Sequence, residues 1–470
     1  WRSVDGGHNW SQANPTWYTY EVHADKHDMA FVNANTYLLA TDGGLYRTTD
    51  DAATWSKIEN NPCTQFYRVA YDPFHPDRYI GGAQDNGTTS GNRYAQASWP
   101  RIWGGDGFQA VYHPLDSTIF YYETQNGSIV GNDPTQPYPM DATQGIDPGD
   151  RRHWDMQYMI SRHNYDVMYT GTYRVYQSFG HLPVWTPISG DLTDTIGSYH
   201  LISTVEESPL NAQLLYAGTT DGNVWRGNPT TMEWTNITAG LPDRYVSSVK
   251  ASAQVANRVY VAHTGYKSND FTPHIHRSDN QGATWISISG DLPNLAVNDL
   301  LILPGHQDSV LLAATDGGVY GTRNGGIHWE RLGTGMPTVA VYDLELNPAQ
   351  KTLFAGTHGR SIYSFPLDSL VHSGDVSTYT PPGIASPSMK VLPGLITDHA
   401  KIQVENLKPR ETADVFITDM NGRMIWQTQF KGYHLQEASF DPGELPAGVY
   451  IAFAKTNGRI WATRKFVVAR

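Results

Sequence analysis

The stretch ATDGGLYRTTDDAATW at residues 40–55 returns as ATDGGVYGTRNGGIHW at 314–329 and, more worn, as TTDGNVWRGNPTTMEW at 219–234. Each copy reads as a strand end, an Asp-Gly turn, a short strand, a polar loop and a closing Trp. A unit of this size cannot bury its apolar face alone, so its repetition implies stacked copies. The loop recurs as RSVDGGHNW (2–10), RTTDDAATW (47–55), RSDNQGATW (277–285) and TRNGGIHW (322–329), with degenerate forms ending at Trp99, Trp185 and Trp234. Successive tryptophans stand 44 to 51 residues apart, except for a gap of 86 that holds two units. That period fits a four-stranded antiparallel blade.

Two apolar strands precede each turn. The nearer set is TYLLA (36–40), LLYAG (214–218), VLLAA (310–314) and TLFAG (352–356); the inner set includes MAFV (29–32), YRVAYD (67–72), LISTVEE (201–207) and YDLEL (342–346). Short β-branched and aromatic runs bounded by Gly, Pro, Asn and Asp are strands, and eight such sets lie between about residue 20 and residue 366. The expected fold is all-β, a β-propeller of seven or eight blades. Eight inner strands favour eight blades; the chain opens in mid-motif, so upstream sequence with any targeting signal is expected, and an upstream propeller that claims the first unit would leave seven. The segment WSQAN (10–14) is expected to close the ring as the outer strand of the last blade.

After residue 366 the texture changes. Residues 367–388 are rich in Ser, Pro, Gly and Thr and read as a linker. Residues 389–470 hold longer strands with Asn-Gly turns at Asn421-Gly422 and Asn457-Gly458, the pattern of a small Ig-like β-sandwich. The expected domains are therefore a propeller over 1–366, the linker, and a sandwich over 389–470.

Net charge is -13 with a pI near 5.7, and no Lys/Arg stripe is present, which argues against nucleic acid as a partner. No run approaches the roughly 20 apolar residues of a membrane-spanning helix. Cys63 is the only cysteine, which rules out an intrachain disulfide and a Cys-based zinc site.

The nine-residue loop resembles the Asp-box (BNR) motif of sialidase-like and sortilin-like propellers, where it is structural and lies away from the ligand face. Over 1–366, the segments HADKHDMAF (23–31), GGAQDNGT (81–88), GGDGFQAVYHP (104–114), ISGDL and FAGTHGRSIY (354–363) resemble a bacterial group of sortilin-like BNR propeller proteins, often labelled glycosyl hydrolase. Residues 389–470, through VFITDMNGRMIW, ELPAGVYIAF and the terminal KFVVAR, resemble the C-terminal sorting domain of Bacteroidetes type IX secretion cargo. That resemblance implies contact with the type IX machinery and a location secreted from, or on the outer-membrane surface of, a Gram-negative bacterium.

In a propeller the segments that lead into inner strands and the second-to-third strand connections share one face. HADKHD, GGDG, TDGG, QDNG and THGR therefore converge on one mouth of the channel. His23, Asp25 and His27 alternate, and two readings fit them: a divalent metal site if the stretch is extended, or mutual hydrogen bonds that order the blade. Gly105 sits in a stretch of little bulk that suits close approach of a ligand. Asp106 pairs with Asp25 as acid and base for glycoside hydrolysis, or caps a tight Gly turn. Asp85 and His358 depart from the repeated pattern and are further candidates, catalytic and ligand-binding respectively. Asp42, Asp221 and Asp316 occupy equivalent turn positions. One of Glu206 and Glu207 is expected to face the channel, and a buried carboxylate there needs a partner. Trp17, Tyr18, Tyr20, Trp103, His153, Trp154, Tyr158, Tyr199 and His200 fall near inner-strand starts, where rings stack on sugars or clamp a peptide; packing between blades is the other role. Ser117, Thr195, Ser309 and Ser369 follow Asp in short segments that resemble Bacteroidetes O-glycosylation sites.

No Arg-Ile-Pro segment or arginine triad of a sialidase is evident. Three functions remain open: a secreted or surface protein that binds a polysaccharide or surface protein at the channel mouth, a glycoside hydrolase with paired carboxylates, or a structural component of a surface assembly.

Overall fold

The computed structural model describes residues 1–13, 22–96, 98–134, 136–180, 183–194, 199–370, 388–393 and most of 395–469. Trp17, Tyr18, Tyr20, Thr195, the Asn457-Gly458 turn and most of 367–388 lie outside them. The chain divides into two compact units; the first carries eight antiparallel sheets, and the second carries one antiparallel sheet and one mixed sheet.

Seven of the eight sheets close a ring. Their inner strands are Phe66–Asp72, Ala110–Tyr112, Tyr158–Ile160, Ile202–Glu207, Tyr245–Ala251, Val297–Ile302 and Val341–Asn347, and they define blades 1 to 7. Each blade bonds to the next. Gly107 N–H reaches Ala83 O at 3.0 Å, Tyr158 N–H reaches Gln109 Oε1 at 3.0 Å, and Ile202 N–H reaches Thr172 O at 2.7 Å. Ser203 Oγ donates to Val246 O at 2.6 Å, Ser247 Oγ to Val297 O at 2.7 Å, and Asn298 Nδ2 to Val341 O at 2.9 Å. The seam between blades 7 and 1 is Val69 N–H on Asp343 Oδ2 at 2.8 Å. Apolar clusters fill the spaces between blades, as where Val310, Leu312 and Ala314 of blade 6 meet Leu344, Leu353 and Ala355 of blade 7.

The first sheet stands outside this ring. Its inner strand Lys26–Phe31 is exposed at all six positions, whereas Ile202–Glu207 is buried at all six. Among the described residues its apolar core is small: Val22, Leu39, Tyr46 and Trp55. The blade number is therefore seven. The expected clasp does not form: Ser11 pairs with Arg2, whose guanidinium is bound to Asp51 of the first sheet. Two antiparallel backbone bonds and a charge-assisted contact hold this stretch to its own loop and that sheet. Blade 7 has three strands among the described residues, Val341–Asn347, Thr352–Thr357 and Ile362–Pro366.

The polar loops share one hydrogen-bond code. Asp5, Asp50, Asn280 and Asn324 each accept the N–H four residues on, at 2.9 to 3.0 Å. The hydroxyls of Ser3, Thr48, Ser278 and Thr322, two residues earlier, each bond to that same Asp or Asn side chain at 2.8 to 2.9 Å. Short polar side chains thus replace ladder bonds that a tight loop cannot make. The loop then delivers its Trp against the preceding blade: Trp185, Trp234, Trp285 and Trp329 donate Nε1–H to Ala142, Ile188, Ile237 and Ile288 carbonyls at 2.7 to 3.1 Å.

The second unit is a sandwich of a three-stranded and a five-stranded sheet. Inward side chains of Ile402, Val404, Val415, Ile417, Ala452 and Phe466 fill its core, with alternate residues outward. The Asn421-Gly422 turn joins Thr412–Asp419 to Met424–Lys431, with Gly422 at φ 82°.

Candidate functional site

The first sheet meets blade 1 on the predicted face. Asn86 Nδ2 donates to Asp42 O at 2.9 Å, and a His23 ring nitrogen lies 2.9 Å from Asp85 O. Gly43 is required there: a Cβ would fall 2.4 Å from the His23 Cβ. Beside this contact opens a cavity of about 1450 Å³, lined by His23, Asp25, Asp85, Gly105, Asp106 and Trp99 among others. Five residues that the sequence singled out thus share one cavity.

Their roles differ from the expectation. Asp106 is buried and accepts Asp85 N–H at 2.7 Å, while Gly107 N–H bonds to Ala83 O, so its carboxylate fixes the turn between blades 1 and 2. Asp85 opens on the cavity at φ 59°, in the left-handed region. Burial, and then the charges of Asp106 and Asp42, push its carboxyl above the usual range. Asp25 has φ 55°, and that left-handed residue breaks the two-residue alternation on which the metal reading rested. The second His23 ring nitrogen sits 3.1 Å from Ala24 O, and His27 is bound to Asp42 Oδ1. His23, Asp25 and His27 therefore do not converge. Among the described residues no three His, Cys, Asp or Glu side chains are gathered to hold a divalent metal.

A second cluster surrounds the start of the inner strands. Tyr67 stacks on Phe108 at 4.7 Å and lies 5.3 Å from His358, which stacks on Tyr342 at 4.7 Å with planes 21° apart. Trp154, 45% exposed, meets Phe108 edge-on at 5.9 Å. His153 Nε2 is 3.2 Å from the Tyr245 hydroxyl. Burial raises Tyr67 to about 12 and lowers His153 and His358, so the rings stay uncharged near neutral pH. Trp103 stands apart, tilted against Tyr122 at 5.4 Å. Tyr67, Phe108 and Tyr342 escaped the sequence reading; the signal was a Tyr at or next to the first position of an inner strand, as in Phe66-Tyr67, Val341-Tyr342 and Tyr245.

Below the rings the channel is charged. Arg68 binds Asp155 at 2.7 Å and lies 3.7 Å from Asp343, and Lys250 binds Asp299 at 3.3 Å. Glu345 is raised to about 8 by burial and then by Asp343. Both Glu206 and Glu207 are buried and partnered, Glu206 by Arg162 Nη1 at 3.2 Å and Glu207 by Ser161 Oγ at 2.8 Å and Arg162 N–H at 2.7 Å. Of the Asp-Ser sites, Ser369 is exposed and Ser117 half-buried, while Ser309 donates to His306 O at 2.8 Å.

Residues 391–469 match the secretion system C-terminal sorting domain. No curated protein sequence matches the chain. Among solved structures, PorZ, described as an essential surface component of the type IX secretion system of Porphyromonas gingivalis, aligns at 11% identity over 95% of this chain and 81% of its own, with a TM-score of 0.40. The extracellular domain of the putative hybrid two-component system BT3049 from B. thetaiotaomicron aligns at 10% identity over 94% of this chain and 67% of its own, with a TM-score of 0.50. Among the described residues no helix is long and apolar enough to cross a membrane. The chain carries at its C-terminal end a type IX sorting domain, and the protein is exported to the cell surface or outer membrane.

Proposed function

We propose that this exported protein is a recognition protein that binds a glycan at the mouth of its seven-bladed propeller. The observation that carries the reading is the set of half-buried, uncharged rings of Tyr67, Tyr342 and His358, with Phe108 beneath and Trp154 at the edge. Sugars present flat C–H faces, and aromatic rings held by packing bind them with little entropy to lose. The charged channel below supplies hydrogen-bond partners for hydroxyls. The shared loop code supports the Asp-box resemblance, and we divide the chain at 1–366, 367–388 and 389–470 on the sheet order and the sorting-domain match. Screening the full chain on an array of bacterial and host polysaccharides tests the reading: retention of a defined glycan, lost in Tyr342→Ala, is expected. Binding unchanged by Tyr342→Ala and by Trp154→Ala would remove the mouth from the account.

A second reading is favoured by one group. The raised carboxyl of Asp85 on the large cavity is what a general acid requires. New reducing ends that vanish in Asp85→Asn would make the protein a glycoside hydrolase. Asp106, spent on the Asp85 N–H, is the weaker member of the pair.

A further inference from the structure

Three consecutive blades of the ring share a small pattern. In blades 3, 4 and 5 the outer strand runs into the dipeptides Ile188-Ser189, Ile237-Thr238 and Ile288-Ser289. The Ile N–H donates to the carbonyl of Val175, Val224 or Ile275 in the third strand, at 2.8 to 2.9 Å. The adjacent Ser or Thr Oγ accepts the N–H of that same third-strand residue, at 2.8 to 3.0 Å. The Ile carbonyl accepts the indole N–H of the next blade's Trp. Each Ile side chain is buried between blades.

Among the described residues blade 7 has no outer strand, and Ile362–Pro366 pairs there only with Thr352–Thr357. Ile362 opposes Gly356 as Val224 opposes Gly218 and Val175 opposes Gly171. By that register its N–H and C=O face the vacant side. Across the gap stands Trp99, the loop Trp of blade 1, packed on Phe66 and Tyr79. Among the described residues its indole N–H meets no acceptor, unlike those of Trp185, Trp234, Trp285 and Trp329 in the ring; Trp55 of the first sheet, outside the ring, lacks one as well. Ile362, Tyr363, Ser364 and Trp99 all line the cavity of about 1450 Å³, and Phe66 and Phe354 line its apolar side.

We propose that this part of the cavity is a strand-acceptor groove, which takes an extended peptide of a partner protein by β-addition to Ile362–Pro366. The recognised element is a bulky aliphatic residue followed by Ser or Thr. Its N–H and Oγ meet Ile362, its carbonyl meets Trp99 Nε1, and its side chain enters the space beside Phe66 and Phe354. Backbone bonds supply affinity and the aliphatic pocket supplies selection. The occupant is argued from continuity with the three blade contacts that already carry this element. It is independent of glycan binding at the mouth.

The test uses a fluorescein-labelled peptide copied from residues 284–291, TWISISGD, titrated with the full chain by anisotropy. Saturable binding is expected. Replacing the peptide's Ile-Ser by Asp-Ala should abolish it, and Trp99→Phe, which keeps the ring and loses the N–H, should weaken it by roughly 5- to 10-fold. Ile362→Pro, which removes the edge N–H, should weaken it further, with amide exchange at 362–364 slowed by peptide only in the wild type. No saturation up to millimolar protein, or binding indifferent to both Trp99→Phe and Ile362→Pro, would overturn the proposal. Displacement of the peptide by a neutral oligosaccharide, with no slowing of exchange at 362–364, would assign the cavity to a glycan instead and overturn it as well.

Discussion

His263 lies in the second strand of blade 5 with no exposure, and neither ring nitrogen has a partner. His276 stands edge-on at 6.0 Å, and His274 sits opposite in register. Burial, and then these two neighbours, hold His263 at about 3, against an ordinary 6.5. Below pH 6.5 the unfolded chain takes a proton that the folded chain refuses until about pH 3, so stability falls as pH drops through that window. From the two values the ring costs about 2 kcal/mol between pH 7.5 and pH 5. His276, held at about 4 by burial, adds in the same direction. His263→Leu removes the proton and the unsatisfied nitrogens, which cost about 1–3 kcal/mol when buried. Urea unfolding followed by tryptophan fluorescence should show the wild type losing about 2 kcal/mol more than the variant between pH 7.5 and pH 5. Equal losses would refute the assignment of a neutral, unpaired ring.

Three further outcomes follow from the ring. Gly82→Ala places a Cβ 2.1 Å from Phe108 O, a backbone atom that cannot step aside, and should lower stability by about 3 kcal/mol or prevent folding, read by thermal unfolding. Asp343→Ala strips Val69 N–H of its acceptor at the seam between blades 7 and 1 and Arg68 of one carboxylate, and should cost about 3–5 kcal/mol by urea unfolding. Trp285→Phe leaves the Ile237 carbonyl without its indole donor and should cost about 1 kcal/mol by the same assay.

Much of the fold was legible because its repeat is marked by side chains with local jobs. The Asp or Asn of the intact loops and its Ser or Thr act within one blade, and the Trp acts on the preceding one, so their recurrence marks the repeat, although the spacing also takes in the first sheet outside the ring. The standing of the first unit was not legible: its strands repeat the pattern of the ring blades, and the sequence counts it among eight equivalent sets. Lys26, His27 and Asp28 stand exposed on that inner strand, but charge alone does not mark it, because Asp299 and Asp343 hold the position of Asp28 in buried strands of the ring. The cavity residues His23, Asp25, Asp85 and Asp106 were found because the topology sends their loops to one face. The metal reading failed on a single left-handed residue, Asp25, which no periodicity reveals. The clasp failed because Arg2 and Ser11 satisfy each other. The rings of Tyr67 and Tyr342 were passed over because a tyrosine next to a strand start looks the same whether it packs between blades or faces the channel.

The most direct test of the glycan-binding account is calorimetric titration of the best-retained glycan into wild type, Tyr342→Ala, Trp154→Ala and Asp85→Asn. Loss of a stacked ring should weaken binding by roughly tenfold or more in the two mouth variants. Asp85→Asn should bind as the wild type does, with no reducing ends released by either. Full affinity in both mouth variants, or turnover that disappears with Asp85, would contradict it.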